Sequence, residues 1–140
     1  MNVEPLTEAD LRSPEFRELL RAATDYDDAR LTALVDGEIG ELTVIGTRDG
    51  DTVTGFAAYL PGEDTTVIEY IASDEAVRGT GIGTALVAAV AQRNPESAVL
   101  AQTDDDAIGF YRALGFLTRD AETDPRWPDR RRYDCLRLPG

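Results

Sequence analysis

This sequence predicts an α/β chain built on one mixed sheet, and three observations lead there. Strand-like runs at 41–47 and 52–60 flank Arg48-Asp49-Gly50-Asp51, where Asp-Gly is a strong hairpin signal, so part of the sheet is antiparallel. Twice, near Arg78 and near Thr103, an apolar strand-like run passes into a helical pattern, and such βα connections imply a parallel element. A hydrophobic fraction of 42% over 140 residues supports one core, so residues 1–140 read as a single domain.

The elements follow in order. Residues 7–23 read as a helix, with Leu11, Phe16, Leu19, Leu20 and Ala23 partly at helical spacing. A second short helix is expected over 28–35. After the hairpin, Pro61-Gly62-Glu63-Asp64 turns the chain into a third strand, 65–73. The next helix begins near Gly81, carries Ile82, Ala85, Leu86, Ala89 and Val90, and stops before Asn94-Pro95, because proline disfavours helix in the residue before it. A short apolar strand covers 98–102. Residues 103–106 resemble a helix start, with a hydroxyl cap and carboxylates suited to the positive end; that helix runs to Leu114, and Gly115 is placed to end it in the left-handed region. Residues 116–119 and 132–138 read as final strands, separated by an irregular loop at 125–128.

Composition excludes several classes of function. The chain has no histidine, so no His-based triad or His-ligated metal site is expected, and no metal is implied. Cys135 is the single cysteine, which rules out an intrachain disulfide. No run reaches the roughly 20 apolar residues of a membrane span. The opening Met1-Asn2-Val3-Glu4-Pro5 lacks a basic region and an apolar core, which reads against a secretory signal and toward a cytoplasmic address. A net charge of −13 repels nucleic acid and anionic membranes and attracts cationic substrates, although acidity also serves solubility. All fourteen basic residues are arginine, which fits either a GC-rich genome or adaptation to high salt.

The most informative motif is Arg78-Gly79-Thr80-Gly81-Ile82-Gly83, between the apolar run 67–72 and the helix that follows. Glycines at a strand-to-helix turn remove side chains where free N–H groups and the positive helix end converge, which makes a socket for an anion such as a phosphate. A nucleotide P-loop requires lysine after its last glycine; Gly83 is followed by Thr84-Ala85, and the chain has no lysine. A dinucleotide turn requires G-x-G-x-x-G or its alanine variant, and counting from Gly79 or from Gly81 reaches Thr84 or Leu86 instead.

The pattern R-x-x-G-x-G resembles the pyrophosphate-binding turn of the GCN5-related N-acetyltransferase (GNAT) family. Asp104 to Phe116, with its Phe110-Tyr111-Arg112-Ala113-Leu114-Gly115-Phe116 block, is similar to a later motif of that family. The resemblance is specific over 65–116 and extends by element order to nearly the whole chain. It implies a mostly antiparallel mixed sheet in which one parallel strand pair splays apart, flanked by helices, with acetyl-CoA as co-substrate in the gap. It further implies that Tyr70, Ile71 and Ala72 pair with the pantetheine arm through their backbone. The pyrophosphate would lie on Gly79, Gly81, Gly83 and Thr84, with Arg78 nearby. Aspartate stands at 104 where the family often carries asparagine; it keeps a hydrogen-bond acceptor and loses the amide donor, which leaves its contact with the cofactor open.

The resemblance also names two catalytic candidates. Glu69 lies in a run that is apolar on both faces, so its strand is expected to be covered on both sides, and burial would raise its pKa toward that of a general base. A carboxylate satisfied by an arginine is the alternative. Tyr111 matches the family tyrosine that protonates the departing thiolate, against an alternative of plain core packing beside Ala107, Phe110 and Leu114. Arg112 reads as a solvated helix residue, and Cys135 as a buried structural thiol. Trp127 reads as packing its loop, with the lining of an acceptor pocket as the alternative. Tyr26, Asp27 and Asp28 read as a polar loop in a region that borders the acceptor site in relatives.

The expected activity is transfer of acetyl from acetyl-CoA to a primary amine of a small molecule or peptide, cationic by the charge argument. A non-catalytic acyl-CoA-binding sensor or partner module is the alternative. Relatives often dimerise, so a homodimer is left open. A tRNA-directed acetyltransferase would need a basic face that this chain lacks.

Overall fold

A computed structural model describes residues 2–139. Seven strands form one sheet in the order β1-β2-β3-β4-β5-β7-β6. They are β1 (Glu4–Pro5), β2 (Thr43–Asp49), β3 (Thr52–Leu60), β4 (Thr65–Ser73), β5 (Ala98–Thr103), β6 (Leu117–Ala121) and β7 (Arg132–Arg137). Every neighbouring pair is antiparallel except β4 and β5. The helices are α1 (Glu8–Leu11), α2 (Pro14–Thr24), α3 (Asp28–Asp36), α4 (Ile82–Arg93) and α5 (Ile108–Ala113). No helix among the described residues is long and apolar enough to cross a membrane.

Two apolar cores lie on opposite faces of the sheet. On one, Leu86, Val90, Ile108 and Tyr111 of α4 and α5 pack with Ile45, Ala57, Val99 and Cys135. On the other, Phe16, Leu20 and Leu31 of α2 and α3 pack with Val53, Phe56, Ala58 and Tyr70, and Phe16 meets Phe56 edge-on at 4.9 Å. Side chains alternate across a strand, so Ala57 and Ala58 serve different cores. The two small residues let helices approach the middle of the sheet on both faces.

Several elements differ from the sequence expectation. The helix expected over 7–23 is two helices. Thr7 caps α1 in a reciprocal box with Asp10, and Ser13 then caps α2 with Pro14 in its first turn. Pro14 cannot donate the hydrogen bond that a continuous helix needs. The strand expected at 41–47 starts at Thr43, because Glu38–Glu41 form a 3-10 turn first. The expected cap at 103–106 is instead a turn in which Asp104 accepts from the Asp106 N–H, and α5 begins only at Ile108. Thr103 belongs to β5. The strand expected at 116–119 runs from Leu117 to Ala121, and β1 was not anticipated. Gly115 does end α5 in the left-handed region, at φ 87°.

Candidate active site

Both ladders of β4 break at Glu69. On one side the parallel pairing with β5 runs from Thr65↔Ala98 to Ile68↔Ala101 and stops there. On the other, Ala58 pairs with Tyr70 and Tyr59 with Ile68, so Glu69 is the extra residue of a β-bulge. A bulge bends its strand and re-aims a side chain. Beyond it β4 continues to Ser73 while β5 turns toward β7, and the two strands part in the middle of the sheet. The inner edge of β4 from Tyr70 onward therefore faces a gap with main-chain groups free for an added partner.

A cavity of about 780 Å³ fills that gap. It is lined along the fork by Glu69, Tyr70, Ile71, Ala72, Gln102 and Thr103, on the α4 side by Arg78 and Gly83, and on the α2 side by Trp127 and Arg132. The expectation that β4 is covered on both faces holds past the bulge, with Ile71 against one core and Ala72 against the other, but these residues are only half-buried because the edge of the strand lies open to the cavity. Four arginines (Arg21, Arg78, Arg130, Arg132) line it against four acids (Asp25, Glu69, Asp104, Asp106). A chain of net charge −13 thus presents a locally balanced chamber that does not repel an anionic ligand as its average field would.

The glycine turn leads from β4 into α4. Gly79 and Gly81 have φ of 83° and 87°, where L side chains are strained, and a Cβ on either would meet nothing within 4 Å. Their absent side chains therefore leave open space outside the protein surface rather than room for a packed neighbour. Gly81 is the N-cap of α4 and supplies no side-chain cap, so the first amides of a twelve-residue helix are left without the usual oxygen acceptor. This is the arrangement that binds phosphate groups. Thr84 sits in that first turn and is exposed. Arg78 is exposed, with Glu75 at 3.6 Å. Gly83 has a different local reason: a Cβ there would press on the Phe110 ring at 3.1 Å, so its smallness lets α5 pack against α4.

Glu69 is half-buried in the fork. Desolvation pushes its pKa up, Arg126 pulls it down, and the Glu38 and Asp124 carboxylates add to the rise; the net result is a carboxyl above its ordinary range. No hydrogen bond from arginine satisfies it among the described residues. Arg126 is engaged elsewhere, by both carboxylate oxygens of Asp124 and by the Tyr70 hydroxyl at 3.2 Å.

Tyr111 is 3% exposed, edge-on to Phe110 at 5.0 Å and to Phe116 at 5.3 Å, and it also lines the cavity. Burial first, then the Cys135 thiol, raise its pKa well above the ordinary phenol, while Arg132 pulls the other way. Packing and cavity lining coexist in this residue. Asp104 lines the cavity too, but its carboxylate is partly engaged, accepting from the Asp106 N–H at 3.0 Å with Arg130 at 3.6 Å.

The wall opposite the glycine turn comes from residues the sequence did not bring together. Trp127 stacks on Tyr26 at 6.0 Å, donates its indole N–H to the Thr24 carbonyl at 2.7 Å, and has Arg126 and Arg132 over its ring. It both packs its loop and lines the cavity. Asp27 caps α3 and Asp28 pairs with Arg21, so neither is free to meet a ligand. Cys135 is fully buried, which raises its pKa, and Arg112 bonds Thr118. One sequence signal went unused. Arg126 and Arg130-Arg131-Arg132 concentrate positive charge within seven positions of a strongly acidic chain.

A profile of the acetyltransferase (GNAT) family matches residues 5–116. The chain belongs to that family. Membership carries with it the class of reaction, acyl-CoA-dependent acetyl transfer. Solved N-acetyltransferase structures share the fold across essentially the whole chain. An N-acetyltransferase from Staphylococcus aureus Mu50 superposes with a TM-score of 0.78 at 14% identity, covering 97% of this chain and 100% of that one. An aminoglycoside 6'-N-acetyltransferase complexed with coenzyme A gives 0.76 at 17% identity, with 98% and 96% covered. A ribosomal-protein-alanine N-acetyltransferase from Brucella melitensis gives 0.68 at 19% identity, with 99% of each chain covered. No curated protein sequence matches the chain.

Proposed function

We propose that this GNAT chain transfers an acetyl group from acetyl-CoA to a primary amine by direct attack, with Glu69 as general base and Tyr111 as general acid. The observation that carries this is the coincidence at Glu69 of the bulge and the end of the β4–β5 ladder. One residue is thereby set free of pairing on both sides and left half-buried at the mouth of the gap.

The co-substrate's pyrophosphate rests on the amides of Gly79, Gly81, Gly83 and Thr84, with Arg78 beside it. Its pantetheine arm adds to the free edge of β4 at Tyr70, Ile71 and Ala72, and a main-chain N–H left unpaired by the fork polarises the thioester carbonyl. Asp104, already held by Arg130, borders the arm at the end of β5.

An amine entering from the Trp127 side arrives as an ammonium. Glu69 takes one proton, directly or through a water, and its raised pKa brings it closer to that of the amine it must deprotonate. The nitrogen lone pair forms the C–N bond as the C–S bond breaks, and the sulfur leaves with the electron pair. Tyr111 gives its phenolic proton to that sulfur, producing free CoA thiol, and the acylated nitrogen releases its remaining excess proton to water to leave the neutral amide. Solvent then returns a proton to Tyr111 and removes one from Glu69. The elevated phenol pKa keeps Tyr111 protonated and ready to donate.

The test is release of CoA thiol from acetyl-CoA across a panel of primary amines. Amine-dependent release is expected. Tight acetyl-CoA binding with no release on any amine would identify a non-catalytic acyl-CoA-binding module instead.

A further inference from the structure

Each arginine around the cavity can be assigned a partner except one. Arg126 is held by Asp124, Arg130 by Asp25 at 3.2 Å, Arg21 by Asp28 at 2.7 Å, and Arg78 stands in solvent near Glu75. Arg132 is 8% exposed, lines the cavity, and has no hydrogen bond or ion pair among the described residues; its Nε is a buried donor without an acceptor. A largely buried guanidinium with no counter-charge is costly, because most of its hydration is lost and only the two terminal nitrogens still reach the cavity.

Its position says what would replace it. Tyr133 and Cys135 belong to the core under α4 and α5, so alternation along β7 puts Arg132 on the opposite face, that of α2 and Trp127. The Trp127 ring lies 4.9 Å from its guanidinium carbon and fixes one face of the plane, which leaves the edge to bind a ligand. The glycine turn opens into α4, on the other face of the sheet from Trp127. The acids nearest Arg132 are already engaged: Asp124 by Arg126, and Asp104 by Arg130 and the Asp106 N–H.

We infer that Arg132 is a substrate-binding residue that holds a carboxylate of the amine acceptor, making the acceptor an amino acid or a similar amine bearing one carboxylate. This rests on amine acetylation at Glu69 as proposed above. A planar carboxylate matches the guanidinium fork in two parallel hydrogen bonds. The acids nearest Arg132, Asp124 and Asp104, are each already paired with an arginine, so the charge left free is a single positive one, which a monoanion neutralises and a dianionic phosphate would overcompensate. The acceptor is then zwitterionic, with its ammonium toward Glu69 and its carboxylate on Arg132, rather than the plain cation that the average charge of the chain suggests.

The experiment separates this from the reaction beneath it. Protein saturated with CoA is titrated with N-acetyl derivatives of glycine, leucine and phenylalanine and with their carboxamides. CoA release is followed in parallel with the free amino acids, their amides, and the carboxylate-free amines cadaverine and spermidine. The acids are expected to bind at least tenfold tighter than the amides. That preference should vanish in Arg132→Gln and return in part in Arg132→Lys, with the kinetic loss falling on the acceptor KM rather than on kcat. Equal binding of acid and amide, no binding of either, or a preference that survives Arg132→Gln overturns the assignment. A fall in kcat common to all acceptors at unchanged KM also overturns it and gives Arg132 a role beside Tyr111. Turnover of cadaverine or spermidine without any carboxylate preference sinks the inference and leaves acetyl transfer standing, whereas failure to bind acetyl-CoA at all sinks the transfer itself.

Discussion

The two ends of the cavity are built from different materials. At the glycine turn the protein offers main chain: two residues in the left-handed region, an uncapped helix start, and open space where side chains would be. At the opposite end it offers side chains: the Trp127 indole on Tyr26, the Asp124–Arg126 pair, and Arg132 at the start of β7. Backbone amides can cradle any phosphate of suitable shape, so the first end suits a ligand common to many enzymes. Side chains from three separate segments can be exchanged without disturbing the sheet, so the second end suits a ligand peculiar to this one.

Breaking the main-chain end should have the largest effect. Gly81→Leu forces a branched residue to φ 87°, which costs about 1–2 kcal/mol, and fills the cradle. That strain falls on folding stability, whereas losing two charge-assisted hydrogen bonds at about 1.5–3 kcal/mol each should lower kcat/KM for acetyl-CoA by about 100-fold or more.

Next is Glu69→Gln, where the two ends meet. Turnover should drop by about 10²–10³-fold with acetyl-CoA affinity unchanged. The native enzyme should gain activity as pH rises and Glu69 loses its proton, with the acid limb displaced above the usual carboxylate range because folding raises this pKa. In the glutamine variant that limb should disappear from the pH–rate profile. A limb of unchanged position in the variant would assign it to another group.

Tyr111→Phe should be smaller, about 10–10²-fold in kcat. Its hydroxyl has no hydrogen-bond partner among the described residues, so thermal denaturation should move little. A variant that loses stability but keeps kcat would reduce Tyr111 to packing. Smallest at the reacting centre is Trp127→Ala. It should raise the acceptor KM, cost about 1–3 kcal/mol of stability through the lost Tyr26 stack and the Thr24 hydrogen bond, and leave acetyl-CoA affinity alone.

The same division governs what the sequence made legible. The glycine turn and the hairpin are local: the reasons for their glycines lie within a few residues, so β3, β4, α4 and the mixed sheet were read within a residue or two. The second end depends on contacts between residues about a hundred positions apart, such as Trp127 with Thr24, which no local pattern encodes. Glu69 was found by its oddity in an apolar strand, but the bulge that frees it comes from the register with β3 and cannot be seen in β4 alone. The division of the first helix was legible in Ser13-Pro14, a cap followed by a residue that fits the first turn, and was overridden by the apolar spacing on either side. Arg132 was missed for a different reason. An arginine in an Arg-Arg-Arg run reads as solvated surface, and only strand alternation and the Trp127 ring bury the third of the three.

Titration calorimetry of acetyl-CoA into the native protein, Gly81→Leu, Glu69→Gln and Trp127→Ala tests the division most directly. One site per chain is predicted in the native protein, retained in Glu69→Gln and Trp127→Ala and lost in Gly81→Leu. An absence of heat with the native protein, or native affinity in Gly81→Leu, would contradict a main-chain cradle for the coenzyme.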